Sequence, residues 1–467
     1  MTLSDHSPDP TAGPVPDGGR APAGTLTAAD ERRSARGGAF SMFVDSFDVY
    51  LPALVLPAAM VYFLPQDLSV EVKATFTTLL FTVGLLGRPI GSVIFGNLSD
   101  RIGRKRVTML SGWGFTVVTL LMGCLPGYAT WGYGAITVFA VLRLIGGIFL
   151  AGGYAAPIPL ALEQARPHRR GRVGALIGVG APLSFLVMNT FLLGALETLP
   201  HDSFLSWGWR VPFVLGFVLG LAYLWHYRGV KEDAGEVTRR RAEAGGRQPV
   251  VALFTEHRAL ILGVFLFTCG YWFATQMSVS FLPTLLVQVL HQSATLSTTE
   301  EIVSSVVTIA MIVVLAAVGQ RIGRRRLLMT WALVMAVVVG GAFLALALMA
   351  GAGAPPWLVG SVAVVAKSVP SAPLGVILVY LNERFPASVR ASGYGIGYMF
   401  GLILPGLYTV WLLALSTVMP YEIGPVVLIV GGALLMFAAV RRGPETNPPG
   451  RAEAARSAAG SAAEATA

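Results

Sequence analysis

The sequence predicts an all-α membrane protein, with twelve transmembrane helices in two pseudo-symmetric six-helix bundles. Three observations lead there. The chain has 467 residues, 54% of them hydrophobic and only 13% charged, with a mean hydropathy of +0.66, too apolar for an ordinary soluble globule. Apolar stretches of the ~20 residues that span a bilayer recur about twelve times. The chain also repeats itself: GNLSDRIGRKR at 96–106 returns in weakened form as VGQRIGRRR at 318–326, and EQARPHRR around Glu163 and Arg170 returns as ERFPASVR around Glu383 and Arg390. Asp100 to Gln320, Arg104 to Arg324, Glu163 to Glu383 and Arg170 to Arg390 share one offset of 220 residues. A common offset in two unrelated loops marks a duplicated half, as in many membrane transporters.

Residues 1–37 are rich in Pro, Gly, Ala and Asp and have no apolar core of a signal peptide, so they read as a disordered tail. The apolar stretches then fall at about 38–63, 72–96, 107–126, 132–162, 172–195 and 208–227, the N-terminal bundle of residues 38–229. Residues 230–257 form a polar linker. The second series, at about 258–290, 299–318, 327–350, 356–382, 391–415 and 423–440, makes the C-terminal bundle of residues 258–441. Residues 442–467 form a second disordered tail without a heptad pattern. Cys124 and Cys269 both lie in apolar runs and indicate neither a disulfide framework nor a metal site; no cofactor is expected.

Orientation follows from where the cations fall. Arg101, Arg104, Lys105 and Arg106 share one loop, Arg169, Arg170 and Arg172 a second, Arg239, Arg240 and Arg241 the linker, and Arg321, Arg324, Arg325 and Arg326 a fourth. The opposite loops offer mainly Asp67, Glu71, Asp202, Glu300, Glu301 and Glu422. The positive-inside rule therefore places both termini in the cytoplasm of a multi-pass protein of the inner (plasma) membrane. The net charge of +9 has the same origin and calls for no nucleic-acid partner, although anionic lipid of the bilayer is a natural contact. An Arg- and Ala-rich composition points to a bacterial source, and a monomer is expected.

GxLxDRxGRK between the second and third helices resembles the loop motif of the major facilitator superfamily. FTVGLLGRPIGSVIFGNLSDRIGRKR at 81–106, LRLIGG at 142–147, EQARPHRRGRVG at 163–174, GAPL at 180–183 and WGWRVPF at 207–213 resemble its metabolite/proton symporter family, which includes carriers for α-ketoglutarate, citrate, shikimate, proline and betaine. The first helix departs from that family's pattern, with DSFDVY at 45–50. Its DxxD element, Asp45 and Asp48, is similar to that of the aromatic-acid/proton symporters. PET at 444–446 weakly resembles the sugar porters, whose helix-seven pattern is absent. The resemblance implies the twelve-helix facilitator fold, a central cavity lined by helices one, four, seven and ten, and an inner latch made by Asp100 and neighbouring arginines.

Physically, Asp100 follows the end of helix two, where an acid opposes the helix dipole unless cations surround it. Arg101, Arg104 and Lys105 are on hand to do so. Glu163 and Glu383 are candidate partners for Arg104 and Arg324, and Arg170 and Arg390 complete the gating set. The bland alternative is a tight turn whose cations serve only topology. Gln320 stands where the second copy would carry its acid, so a latch built on Asp100 is asymmetric.

Charged groups at a helix centre cost about 2.5–3.5 kcal/mol each on insertion scales and mark functional candidates. Asp45, Asp48, Arg88, Arg143 and Lys367 qualify. At ~1.5 Å rise per residue, Asp48, Arg143 and Lys367 lie ~15–16 Å into their helices, near the bilayer midplane. Arg143 and Lys367 are expected to hold an organic anion, with Tyr154, Asn189, Tyr271, Trp272, Gln276 and Tyr380 as polar or aromatic lining. Asp45 and Asp48 are expected to couple protons, because two adjacent carboxylates in low dielectric do not both ionise easily. Arg88, between Gly87 and Pro89, is assigned a structural or gating role. The bland readings are neutralisation of Arg143 by an aspartate, pairing of Lys367 with Glu383, and packing for the aromatics at 271–273.

The expected function is secondary active transport by alternating access: proton-coupled uptake of a small organic acid or zwitterion. The alternative is a proton-coupled antiporter exporting a drug or natural product, which the GAPL segment disfavours. No phosphate-binding loop for ATP is present, and the histidines lie in tails or near helix ends, so neither a direct ATP-driven pump nor an enzyme is expected. A membrane sensor is a remote third class.

Overall fold

A computed structural model describes residues 27–447 apart from 66, 69, 199–202, 204–206, 234, 236, 239–247 and 351–352. The expected tails at 1–26 and 448–467, and Asp202, Arg239, Arg240 and Arg241, lie outside the described residues. Among the described residues the regular structure is helical. The N-terminal bundle comprises α1 Ala28–Phe63, α2 Val70–Ile102, α3 Arg104–Gly123, α4 Tyr133–Gln164, α5 Arg170–Thr198 and α6 Val211–Arg228. The C-terminal bundle comprises α7 Arg258–Val289, α8 Ala294–Ile322, α9 Arg324–Met349, α10 Pro356–Arg384, α11 Ala387–Ser416 and α12 Gly424–Arg441.

Among the described residues, ten of these are long and apolar enough to cross a membrane. α3, which is not among them, opens on Arg104, Lys105 and Arg106. Each bundle buries its own apolar core, Phe47, Phe63, Phe139, Trp209 and Phe213 in one and Phe267, Phe343, Leu346 and Met436 in the other. The bundles meet where α2 packs on α11 and α5 packs on α8 and α10.

Several boundaries differ from expectation, where a capping side chain or a glycine sets the helix end. α1 starts at Ala28, so residues 28–37 belong to it and not to a tail. Thr27 and Asp30 form a reciprocal capping box, and Asp30 and Glu31 then pair with Lys231, Arg166 and Arg169. The loop at 96–106 is almost no loop: α2 runs to Ile102, α3 begins at Arg104, and the break is one residue, Gly103, at φ +101°. That conformation favours glycine, and the repeat reproduces it at Gly323, φ +98°.

The freed N–H groups of the helix that follows each break are taken by a carboxylate from beyond the bundle. Glu232 accepts from Arg104 N and Lys105 N, both at 2.8 Å, and Glu445 accepts from Arg324 N at 2.9 Å and Arg325 N at 3.0 Å. A helix N-terminus presents unsatisfied donors and a partial positive charge, which a carboxylate matches. The linker and the second tail therefore open with packed segments, and 442–447 is not a free tail: Asn447 Nδ2 donates to Gln320 O at 2.9 Å and Tyr380 Oη to Pro444 O at 3.2 Å. Pro249–Thr255 is a short helix within the expected linker.

Candidate substrate and proton site

A central cavity with about 820 Å³ of empty space, its open mouth included, lies between the two bundles. The N-terminal half contributes Asp45 and Tyr50 from α1, Arg88 from α2, Tyr154 from α4 and Phe185 from α5; the C-terminal half contributes Tyr271, Trp272 and Gln276 from α7, Ser304 from α8, Lys367 from α10 and Tyr398 from α11. α7 is wound as a π-helix over Met277–Phe281, beside the wall of this cavity, a local unwinding often found at functional sites.

Arg88 reaches the cavity because α2 lies very close to α4. A Cβ at Gly87 would collide with the carbonyl of Leu144, and one at Gly147 with that of Gly84, so the helices touch backbone to backbone. From there Arg88 Nη2 donates to Asp45 Oδ1 at 2.7 Å, with both residues 4% exposed. Its guanidinium stands 5.6 Å from the ring of Tyr154, which stacks on Tyr398 at 5.1 Å; Trp272 meets Tyr398 edge-on at 5.3 Å. The aromatics thus form a continuous wall across the two halves.

Lys367, 5% exposed, faces from the other half. Its ammonium pairs with Glu301 and lies 5.5 Å from the Phe185 ring. Neighbouring backbone is pinned: Ser278 Oγ donates to Ala366 O at 2.7 Å and Ser368 Oγ to Ser304 O at 3.3 Å.

Several sequence assignments change place. Arg143 does not line the cavity. It is buried behind α1, with Nη1 3.9 Å from Asp48 Oδ2 and its guanidinium donating to Asp48 O at 3.4 Å and Val49 O at 3.3 Å, while Thr119 Oγ1 donates to Asp48 Oδ1. The three-residue step from Asp45 to Asp48 rotates the two carboxylates apart, so Asp45 faces the cavity and Asp48 faces Arg143. Arg88, assigned to structure or gating, takes the place expected of Arg143. Asn189 bonds its own helix at Phe185 O and Tyr380 lies against Arg384 and Phe267; neither lines the cavity. Lys367 pairs with Glu301 and not with Glu383.

Glu300 and Glu301, expected in a loop, lie within α8, 3% and 9% exposed. The signal that would have found them is Ser293, whose side chain accepts from Leu296 N and starts α8 early enough to carry both acids about two turns inside. Arg143→Ala is accordingly expected to leave substrate KM within about threefold while lowering the apparent Tm, because it strands buried Asp48 without its partner at a cost of about 3–5 kcal/mol. A large KM effect with unchanged Tm would put Arg143 back in the binding site.

At the basic end of the helices the gating candidates gather into one interface between the halves. Asp100 accepts from Ala391 N at 3.1 Å and from Ser392 N and Oγ, both at 2.8 Å, so it caps the first turn of α11. Arg104 lies 3.6 Å from Asp100 and 3.0 Å from Glu163. Arg390 meets Glu163 at 2.8 Å, Arg170 meets Glu383 at 3.2 Å, and Arg324 pairs with Glu383. The crossed pairs Arg170–Glu383 and Arg390–Glu163 are images of each other under the 220-residue repeat, the self-complementary pattern a two-fold interface requires. Gln320 makes the weaker copy: it donates to Pro167 O at 3.5 Å and accepts from Arg324 at 3.4 Å. Arg101 is exposed, and Lys105 bonds Arg228 O within its own half. Arg210 likewise stays in its half, on Tyr62 Oη at 2.6 Å and over the Trp209 ring at 4.4 Å.

The profile of the Major Facilitator Superfamily matches residues 38–403, more than three quarters of the chain. The chain belongs to the major facilitator superfamily. Among curated relatives it is similar to the shikimate transporter of Escherichia coli (strain K12), 29% identical over 84% of this chain and 89% of that protein, and to the citrate-proton symporter of Klebsiella pneumoniae, 26% identical over 79% of this chain and 81% of that one. These are relatives of the kind that the motifs at 81–106 and 142–147 pointed to. The fold matches the solved structure of the proton:xylose symporter XylE bound to 6-bromo-6-deoxy-D-glucose, with a TM-score of 0.71 at 18% identity, covering 91% of this chain and 99% of XylE. This facilitator is thus a multi-pass membrane transporter, not an enzyme.

Proposed function

We propose that the protein is a proton-coupled symporter that takes up a small organic acid, with the basic end of its helices facing the cytoplasm. One observation carries this reading: the cavity holds two cations on opposite halves, Arg88 and Lys367, and each is neutralised by a carboxylate of the protein, Asp45 and Glu301. An anion entering such a site competes with an internal acid for its cation, and the displaced acid, buried at 4% exposure in the case of Asp45, holds a proton in preference to an unpaired charge. Proton and anion thereby bind with reciprocal favour. Arg88 supplies a planar fork for a carboxylate and Lys367 a point charge, while Tyr154, Tyr271, Trp272 and Tyr398 suit the carbon skeleton. Asp48, turned toward Arg143, maintains the charge balance behind α1. The relatives that transport shikimate and citrate support the organic-acid class. The test is uptake of radiolabelled shikimate, citrate and aromatic acids into proteoliposomes of the purified protein. An acid exterior should drive accumulation that a protonophore abolishes; proton-driven loss from the lumen would instead show an exporter.

A further inference from the structure

Charge around the cavity does not balance. In the membrane-spanning middle of the described residues, Asp45 is matched by Arg88, Asp48 by Arg143 and Glu301 by Lys367, whereas Glu300 is a fourth acid with no cation of its own. Glu300 is 3% exposed; its Oε1 accepts from Ser304 Oγ, and its Oε2 is buried without a hydrogen-bond partner. Ser304 and Lys367, which touch this acid pair, line the cavity, so the pair sits one side chain behind the wall. The charged and titratable groups facing it are Lys367 from α10 and Tyr50 from α1, and the α5 side presents the Phe185 ring to Lys367. An unpaired carboxylate oxygen in that setting is a poor place for charge and a good place for a proton.

We infer that Glu300 and Glu301 form a second proton-binding site, in the C-terminal half, loaded when a substrate carboxylate takes Lys367 from Glu301. This rests on the symport reading above. With the cavity empty, one lysine serves two neighbouring carboxylates. Once a substrate anion engages Lys367, both acids lose that counter-charge, and a proton from the outer aqueous phase binds a carboxylate oxygen of the pair. When the substrate leaves on the other side, Lys367 returns to Glu301 and the proton is released there. The site works in parallel with Asp45 and Arg88, so a substrate bridging the halves draws a proton at each end.

The test uses the full chain in proteoliposomes, with radiolabelled shikimate and citrate as probes and the proton-to-probe ratio read from reversal potentials. Replacing both acids, Glu300→Gln with Glu301→Gln, should retain pH-driven uptake with a ratio lower by about one, since either acid left alone could still take the proton; an unchanged ratio would overturn the inference. Should that variant fail to insert, proton uptake from a weakly buffered solution on adding the probe to the Asp45→Asn protein gives the second reading. About one proton per bound probe is expected to remain, and none remaining would equally overturn the second site. Absence of pH-driven uptake by the unmodified protein for every carboxylate would instead remove the symport reading itself. That outcome is distinct from unmodified uptake with a ratio that replacing both glutamates leaves alone.

Discussion

Replacing Asp100 by Ala is expected to open the basic end of the transporter, raising the reactivity of a cysteine placed at Ala391 toward a membrane-impermeant maleimide by about 100-fold. Asp100 accepts three hydrogen bonds from the first turn of α11, two of them from backbone N–H groups, and lies beside Arg104. A hydrogen bond contributes about 1 kcal/mol net, so losing the three shifts a two-state equilibrium by roughly 3 kcal/mol, about two orders of magnitude. Ala391 is fully buried while the latch is closed, so its labelling reports the open population directly. Gln320→Ala is the control, because its side-chain contacts to Pro167 and Arg324 are long, at 3.4–3.5 Å, and less than a fivefold change is expected. Equal effects of the two substitutions, in a background lacking Cys124 and Cys269, would mean that the latch does not lean on Asp100.

Arg88→Gln is expected to abolish gradient-driven accumulation, by more than about 100-fold, and to lower the apparent Tm. Removing the guanidinium strands Asp45 in a buried site, at about 3–5 kcal/mol for breaking a buried pair by removal of one partner. The double substitution Asp45→Asn with Arg88→Gln removes both charges and should recover most of the stability without recovering accumulation. Substrate exchange across a membrane with no pH gradient separates binding from coupling. Asp45→Asn alone should keep exchange within about tenfold while its response to the gradient falls to the share carried by Glu300 and Glu301, because a neutral amide stands in for a permanently protonated acid. Were the double variant to accumulate substrate normally, the Asp45–Arg88 pair would be purely structural.

Much of this was readable from residue order. Helix number and position follow from apolar stretches, which need only local hydropathy, and the duplication follows from the shared offset of Asp100, Glu163 and Arg170 with Gln320, Glu383 and Arg390. The place of Glu163 and Glu383 at the inner ends of the fourth and tenth helices likewise pointed to them as partners of Arg104 and Arg324. Boundaries went astray where a cap decided them. Thr27 with Asp30, Ser293, Glu232 and Glu445 each draw polar chain into a helix or onto its end, and hydropathy does not register that.

The sequence by itself determined the twelve-helix duplicated architecture, the loss of the acid at Gln320 in the second copy of the repeated segment, and the set of buried charges on α1, α2, α4 and α10. Which cation faces the cavity was settled only by the tertiary structure. Arg88 and Arg143 lie at comparable depth in neighbouring helices, and depth along a helix says nothing about azimuth around it. Glycine contact between α2 and α4 brings Arg88 to Asp45, while the turn of α1 between Asp45 and Asp48 sends Arg143 to the other face. The pairing of Lys367 with Glu301 and the solitary Glu300 likewise depend on how α8 packs against α10, a contact between segments more than fifty residues apart. Hydropathy reads along the chain, whereas a buried charge is neutralised across it.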